Sequence, residues 1–340
     1  MLIGVCDFPG DYLFPPKGYG GIERWLWATA VGGRRAGAQV HLLGPLWRRE
    51  LSDDWTVRPF RLEDLAKDDA CARDLRATGY DLLVVGHEYP SVDAWRATWE
   101  MLDADVATFQ HEPHFRHGPN SFDGRKSRLY CYSPEMCRRY AQHHPIAERA
   151  VHMGIGEIEH KAHEGRDLLW LGRIDAQKAP HHAIRAARLL GRRIVVAGPT
   201  FDPTYVNAHH ELFCSDGVDM VGEVGGGDKM RLLADARVLV YSCAREYVEA
   251  GAATFGESLR AGTPVAALAW RPGTCAHVAL CRQTGCVAEV GAMDDDAVVA
   301  ESLAVAIEHA TTLRASEVQE IGMHRFDPMH HFQVLSSRPC

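Results

Sequence analysis

The sequence predicts an α/β protein made of two Rossmann-like domains, each built on a parallel sheet. Three observations carry this. Short apolar runs alternate with stretches of helical spacing from one end of the chain to the other. Those runs are near-continuously apolar, the mark of strands covered on both faces. And 340 residues with 46% hydrophobic content supply two cores of ordinary size.

In the first half the expected strands are 2–6, 39–43, 82–85, 106–109 and 129–132. In the second half they are 168–171, 193–197, 218–220, 238–241, 264–268 and 285–288. Helices are expected at 22–36, 179–190, 229–236 and 297–310, where apolar residues recur at helical spacing. The stretch 147–165 holds Gly154, Gly156 and Gly165 among charged residues and reads as a linker. The expected division is therefore 1–150, an acceptor-side domain, and 151–325, a nucleotide-sugar domain, the roles being those implied by the resemblance given below. After Phe326 comes a proline and an apolar-spaced run from Met329 to Leu335, a last helix expected to pack back on the first domain.

Composition narrows the function. Net charge is -8, and residues 1–150 carry 19 basic and 21 acidic side chains, so neither half is a basic domain. Nucleic acid is not the expected partner, because phosphate binding leaves a basic surplus. No run approaches the roughly 20 apolar residues of a spanning helix. Asp7 cuts short the apolar start, which reads as a strand rather than a leader. Ten scattered cysteines without a Cys-x-x-Cys pair suit reduced thiols, and the expected location is cytoplasmic. Trp25, Trp27, Arg34, Arg35, Trp47, Arg48 and Arg49 suggest a membrane surface, but read more simply as helix core and solvated basic face.

In open parallel sheets ligands bind at the carboxyl ends of strands, and four motifs lie there. The first runs from Glu249 to Glu257 through Gly251, Ala252 and Ala253, and closes at Gly262-Thr263-Pro264. Glu249 falls in a loop before a helix, and Glu257 inside it. A helix N-terminus with bare backbone N–H groups suits a diphosphate, and a carboxylate further along can accept two ribose hydroxyls. The second motif, Gly172-Arg173 to Lys178, leaves the strand 168–171 with two cations that can neutralise a leaving diphosphate. The third is Gly18-Tyr19-Gly20-Gly21 after the first strand, where bare backbone lets a ligand approach. The fourth is Gln110-His111-Glu112-Pro113-His114, which puts a histidine at a strand end. Taken singly, each is matched by a plainer reading: solvated acids, a basic turn, a strand-to-helix turn, a structural loop histidine.

Taken in order, they resemble family 4 of the retaining glycosyltransferases, of the GT-B fold. Weaker echoes lie at Arg35-Ala36-Gly37, Tyr80-Asp81, His152-Met153-Gly154-Ile155-Gly156 and Val196-Ala197-Gly198, so the likeness spans nearly the whole chain. Within the family the sequence is most similar to the enzymes of avilamycin-type antibiotic biosynthesis. The resemblance implies two Rossmann-like domains facing across a cleft and transfer of a sugar from a nucleotide diphosphate donor. UDP is the first choice of nucleotide, and a saccharide-bearing small molecule the expected acceptor. It implies Glu257 on the ribose, Arg173 and Lys178 on the diphosphate, and Glu249 with the amides of Gly251, Ala252 and Ala253 on the sugar and phosphate. It implies His111 against the sugar, Gly20 and Gly21 closing over the phosphates, and Glu223 and Val224 near the base. No cofactor or metal is expected. One departure stands out: Glu249-Ala250-Gly251-Ala252-Ala253 replaces the family's Glu-Pro-Phe-Gly-Leu, which leaves the donor sugar unread.

Three other readings keep the residues but change the chemistry. A GT-B nucleotide-sugar epimerase and a non-catalytic nucleotide-sugar binder share the architecture. A metal enzyme would draw on the 19 histidines, including His143-His144, His181-His182, His209-His210 and His330-His331. None of these pairs has zinc-site spacing, and Asp294-Asp295-Asp296 reads as a helix start where acids favour the dipole. Acceptor contacts are expected from His87, Glu88, Tyr89 and the 111–117 loop.

Overall fold

The structure is a computed structural model. It describes residues 1–8, 10–18, 20–59, 69–86, 104–109, 111, 127–141, 151–156, 158 and 160–337. The chain forms two compact units. The first comprises residues 1–16, 20–156 and 326–340, and the second residues 17–19 and 157–325.

The strands of the first unit are β1 (Leu2–Cys6), β2 (Gln39–Leu43), β3 (Thr56–Arg58), β4 (Leu82–Gly86), β5 (Asp105–Phe109) and β6 (Ser127–Tyr130). Its described helices begin with α1 (Gly21–Arg35), α2 (Asp69–Thr78) and α3 (Pro134–Arg139). The strands form one sheet in the order β3-β2-β1-β4-β5-β6, with every pair parallel. β1 and β4 are central, and their side chains Ile3, Val5, Leu83, Val84 and Val85 are fully buried. Burial on both faces is what makes those runs continuously apolar. β3 was not read from the sequence, because three residues on a sheet edge carry no detectable period. β6 starts two residues before its expected position. Cys131 and Tyr132 extend the apolar run past the strand end because both are buried without being paired in it.

The second unit repeats the pattern. Its strands are β7 (Leu168–Leu171), β8 (Ile194–Ala197), β9 (Val218–Gly222), β10 (Val238–Tyr241), β11 (Val265–Ala269) and β12 (Gly285–Glu289). Its helices are α4 (Pro180–Leu189), α5 (Pro203–Ala208), α6 (His210–Phe213), α7 (Gly226–Asp235), α8 (Ala253–Ala261), α9 (Cys275–Ala279), α10 (Asp296–Thr311) and α11 (Ala315–Arg325). The sheet order is β12-β11-β10-β7-β8-β9, again all parallel. Read from β9, this is the strand order of the first unit. In both sheets the first and fourth strands of the unit lie side by side, so the order reverses between them. α7 begins at Gly226 rather than 229, because Gly226 and Gly227 have low helix propensity and hid its start.

The last helix, α12 (Pro328–Ser336), belongs to the first unit. Its entry is set by Asp327, whose carboxylate accepts from Met329 N at 2.7 Å and ion-pairs with Arg35 at 3.2 Å. A Cβ at Gly32 would sit 2.0 Å from the Pro328 carbonyl oxygen. A glycine inside α1 costs about 1 kcal/mol of helix stability, and here it admits the close approach of α12. Phe326, Phe332 and Leu335 are buried there. No described helix is long and apolar enough to cross a membrane. Trp25 and Trp47, weighed above as a membrane face, are core residues.

Candidate donor-binding site

The centre of the second sheet is where β7 and β10 adjoin, and the loops leaving their carboxyl ends meet. The loop after β7 turns on Asp175, whose Oδ1 accepts from Lys178 N at 2.8 Å. Ala179 then takes a left-handed conformation, φ 44° and ψ 53°, before Pro180 opens α4. A non-glycine residue there stores on the order of 1–3 kcal/mol of strain. The loop is pinned from β10. The Ser242 hydroxyl lies 3.1 Å from the Lys178 carbonyl and 2.9 Å from that of Ala179, and accepts from Trp170 Nε1 at 3.0 Å. Ala244 N donates to the Gln177 carbonyl at 2.8 Å. Lys178 is thus delivered by a rigid turn.

Its ammonium donates to Glu249 Oε2 and lies 4.9 Å from the centroid of the Tyr247 ring. Tyr241 OH donates to the same carboxylate oxygen at 3.1 Å. Burial pushes the Tyr241 phenol well up, and the Glu249 charge does the same to Tyr247, so both stay protonated. Burial also pushes the Cys243 thiol up to about 12, which removes it as a nucleophile at neutral pH. Arg173 lies on the same loop. It pairs with Asp175 Oδ2 at 3.4 Å, donates to Gln177 Oε1 at 3.2 Å and stands 5.5 Å from the Phe201 ring centroid.

Gly251 and Ala252 lead into α8, whose first residue is Ala253 and whose N-cap, Ala252, offers no side-chain acceptor. The first-turn N–H groups of α8 are therefore uncapped by a side chain. Glu257 lies in the buried face of α8, and Lys229 of α7 donates to its Oε1 at 2.5 Å. Gly262, φ 90°, ends the helix in the left-handed conformation usual after a helix C-terminus. Both glutamates sit where the motif placed them. Glu223 and Val224 follow β9. The Glu223 carboxylate lies against Gly18, where a Cβ would be 2.9 Å from Oε1.

The remaining candidates lie in the first unit. Gly20 is the N-cap of α1 at φ 139°, and Gly21 has open space where a Cβ would be. Glu23, in the first turn, is buried, and desolvation raises its carboxyl pKa. His111 follows β5 and packs on aromatic rings, with centroids 5.1 Å from Trp25 and 5.3 Å from Tyr132. Trp25 in turn donates to His331 Nε2 at 2.8 Å, while His331 Nδ1 donates to the His152 carbonyl at 2.6 Å. The 110 and 112–117 positions, His87, Glu88, Tyr89, Tyr19 and His143-His144 lie outside the described residues.

Sequence reading missed Lys229, Tyr241, Tyr247 and Asp175. The only signal for Asp175 was its place three residues before Lys178, the spacing at which a capping carboxylate accepts from a backbone N–H. The reading also kept His181-His182 apart from Asp296. The structure brings the three together: their ligand atoms lie within 4.8 Å of one another. Asp295, as expected of a helix start, caps α10 by accepting from Ala297 N and Val298 N at 3.0 Å.

Residues 156–310 match the protein family described as "Glycosyl transferases group 1". No curated protein is matched by the sequence. Among solved structures, the chain is similar to AviGT4, a glycosyltransferase involved in avilamycin A biosynthesis. The TM-score is 0.73 at 19% identity, covering 98% of this chain and 95% of that one. It is similar to Anabaena HepE, solved with UDP-glucose, at TM-score 0.69 and 17% identity over 99% and 98% of the two chains. A glycosyltransferase from Rickettsia africae matches at TM-score 0.66 and 16% identity, over 98% and 95%. The fold is therefore GT-B. A group 1 glycosyltransferase domain spans most of the chain's second unit.

Proposed function

We propose that this chain is a glycosyltransferase that takes a sugar from a nucleotide diphosphate donor, UDP first, and transfers it with retention to a saccharide-bearing small molecule. The observation that carries this reading is the convergence of Lys178 and Glu249 where β7 and β10 adjoin. A ligand of an open parallel sheet sits at that reversal of strand order. Lys178 and Arg173 receive the diphosphate as the C1–O bond breaks and charge moves onto the leaving group. Their stabilisation grows towards the transition state, which is what accelerates the step. The uncapped first turn of α8 adds backbone N–H groups to the same anion. Glu257, steadied by Lys229, takes the ribose hydroxyls, and Glu249, held by Tyr241, takes hydroxyls of the sugar. Cationic residues fill the role that a metal ion fills elsewhere, so this chemistry needs no cofactor.

HepE, solved with UDP-glucose, supports UDP as the donor nucleotide. AviGT4, involved in avilamycin A biosynthesis, supports a secondary-metabolite acceptor of the antibiotic-biosynthesis kind. His111, Gly20 and Gly21 complete the reading as sugar and phosphate contacts from the first unit. The test uses slow hydrolysis of UDP-glucose in place of an unidentified acceptor, followed by NMR. Retention releases α-glucose before mutarotation, whereas β-glucose as the first product contradicts it.

A further inference from the structure

We propose that His181, His182 and Asp296 bind a divalent transition-metal ion of the zinc class, which ties the start of α4 to the start of α10. Their three ligand atoms lie within 4.8 Å of one another. Ligand atoms on a tetrahedral ion with bonds of about 2.0–2.1 Å are roughly 3.4 Å apart, so small side-chain rotations close the site.

A second observation points to a ligand independently of the cluster. His182 is 5% exposed, and its Nδ1 is a buried nitrogen without a hydrogen-bond partner. That nitrogen faces Asp296 Oδ1 at 3.8 Å, too far for a hydrogen bond and suited to two ligands of one ion. A buried polar atom left unmatched is costly, and a metal bond removes the cost.

The surroundings are those of a supported site. Tyr205 OH lies 2.6 Å from His181 Nδ1 and fixes that ring, and the His209 ring stacks on it with centroids 4.5 Å apart. Arg185 takes Asp296 Oδ2, which leaves Oδ1 turned towards His182. Hydrogen bonds of this kind orient metal ligands and tune their affinity. Two imidazoles and one carboxylate select zinc, cobalt or nickel over magnesium or calcium, which prefer all-oxygen shells. Asp296 is exposed, so water completes the shell from outside. Two residues, Ala179 and Pro180, separate Lys178 from His181, so the ion restrains the helix that follows the Lys178 turn. It takes no part in the transfer chemistry.

The test uses the full chain, stripped of metal by a chelator and then dialysed. Zn²⁺ is added by calorimetry and Co²⁺ by visible absorption, and the thermal midpoint is read with and without Zn²⁺. The expected result is one ion per chain with a Kd of about 1–10 μM, a tetrahedral Co²⁺ spectrum and a raised midpoint. His182→Gln and Asp296→Asn each weaken binding about 10–100-fold. His210→Gln, outside the cluster, leaves it unchanged. Asp296→Asn alters an exposed side chain and keeps the test valid should the buried His182 variant fail to fold. No binding tighter than about 100 μM, or binding that survives Asp296→Asn, overturns the proposal.

Discussion

The two units share one strand order but use the same place in it differently. In the second unit, the loops after the first and fourth strands bring an ammonium onto a carboxylate, Lys178 on Glu249. In the first unit, the start of the loop after β1 is committed to packing. Asp7, at the strand end, is 2% exposed and accepts from Leu46 N at 2.7 Å. Phe8 then packs edge-on against Phe14, and Phe14 against Trp47, each at a centroid distance of 5.2 Å, and Arg48 closes the loop on the Pro15 carbonyl at 2.7 Å. Topology supplies a location at the end of a parallel sheet. The side chains decide whether it is spent on a ligand or on structure.

Substitutions at these matched places should separate the two uses. The largest effect is expected at Lys178. Lys178→Ala removes a preorganised cation from the leaving diphosphate and should lower single-turnover transfer or donor hydrolysis by about 10²–10³. Rapid-quench kinetics reads it, and a rate within a few-fold of wild type removes Lys178 from the chemistry. Next comes Glu257. Glu257→Gln should weaken nucleoside diphosphate binding by about 10–100-fold, the scale of one hydrogen bond to a charged group. The effect should appear in KM and Kd more than in kcat, since ribose contacts are shared by ground and transition states.

In the first unit the expected pattern inverts. Asp7→Ala strands the Leu46 N–H and should cost about 1–3 kcal/mol of stability, seen as a lower denaturation midpoint, while nucleotide affinity stays unchanged. A matching loss of nucleotide affinity would erase the contrast between the units. The last effect, confined to acid pH and absent at neutrality, is a pH dependence from His331. Burial lowers its pKa from 6.5 to about 4, and its two hydrogen bonds require the neutral ring. The unfolded state therefore protonates first as pH falls. Its contribution is fully present above pH 6.5 and is lost between 6.5 and about 4, at up to about 1.4 kcal/mol per pH unit. His331→Phe should flatten that part of the stability profile; a profile as steep as wild type assigns the acid loss to other groups.

The parts legible in the sequence share a physical basis. Buried parallel strands are continuously apolar, so most were found within a residue or two, whereas the edge strand β3 was too short to show a pattern. The stretch from Glu249 to Gly262 was legible because loop, helix and cap are all local, and each has a compositional sign. The partners of those glutamates were not. Lys229 reaches Glu257 from another helix, and Tyr241 reaches Glu249 from a strand, and no spacing rule announces such contacts. Ala179 was hidden for a different reason, since alanine gives no hint of a left-handed turn. His181, His182 and Asp296 each had an innocent local reading, and only the packing of α4 beside α10 makes them a cluster.

The central claim is that the second unit holds a nucleoside diphosphate at the meeting of β7 and β10 without help from a metal. Calorimetry with UDP, GDP, ADP and dTDP in the presence of a chelator tests it most directly, on wild type, Glu257→Ala and Asp7→Ala. The account predicts micromolar binding of one diphosphate, UDP first, lost in Glu257→Ala and retained in Asp7→Ala. Absence of binding to all four, or binding indifferent to Glu257, would contradict it.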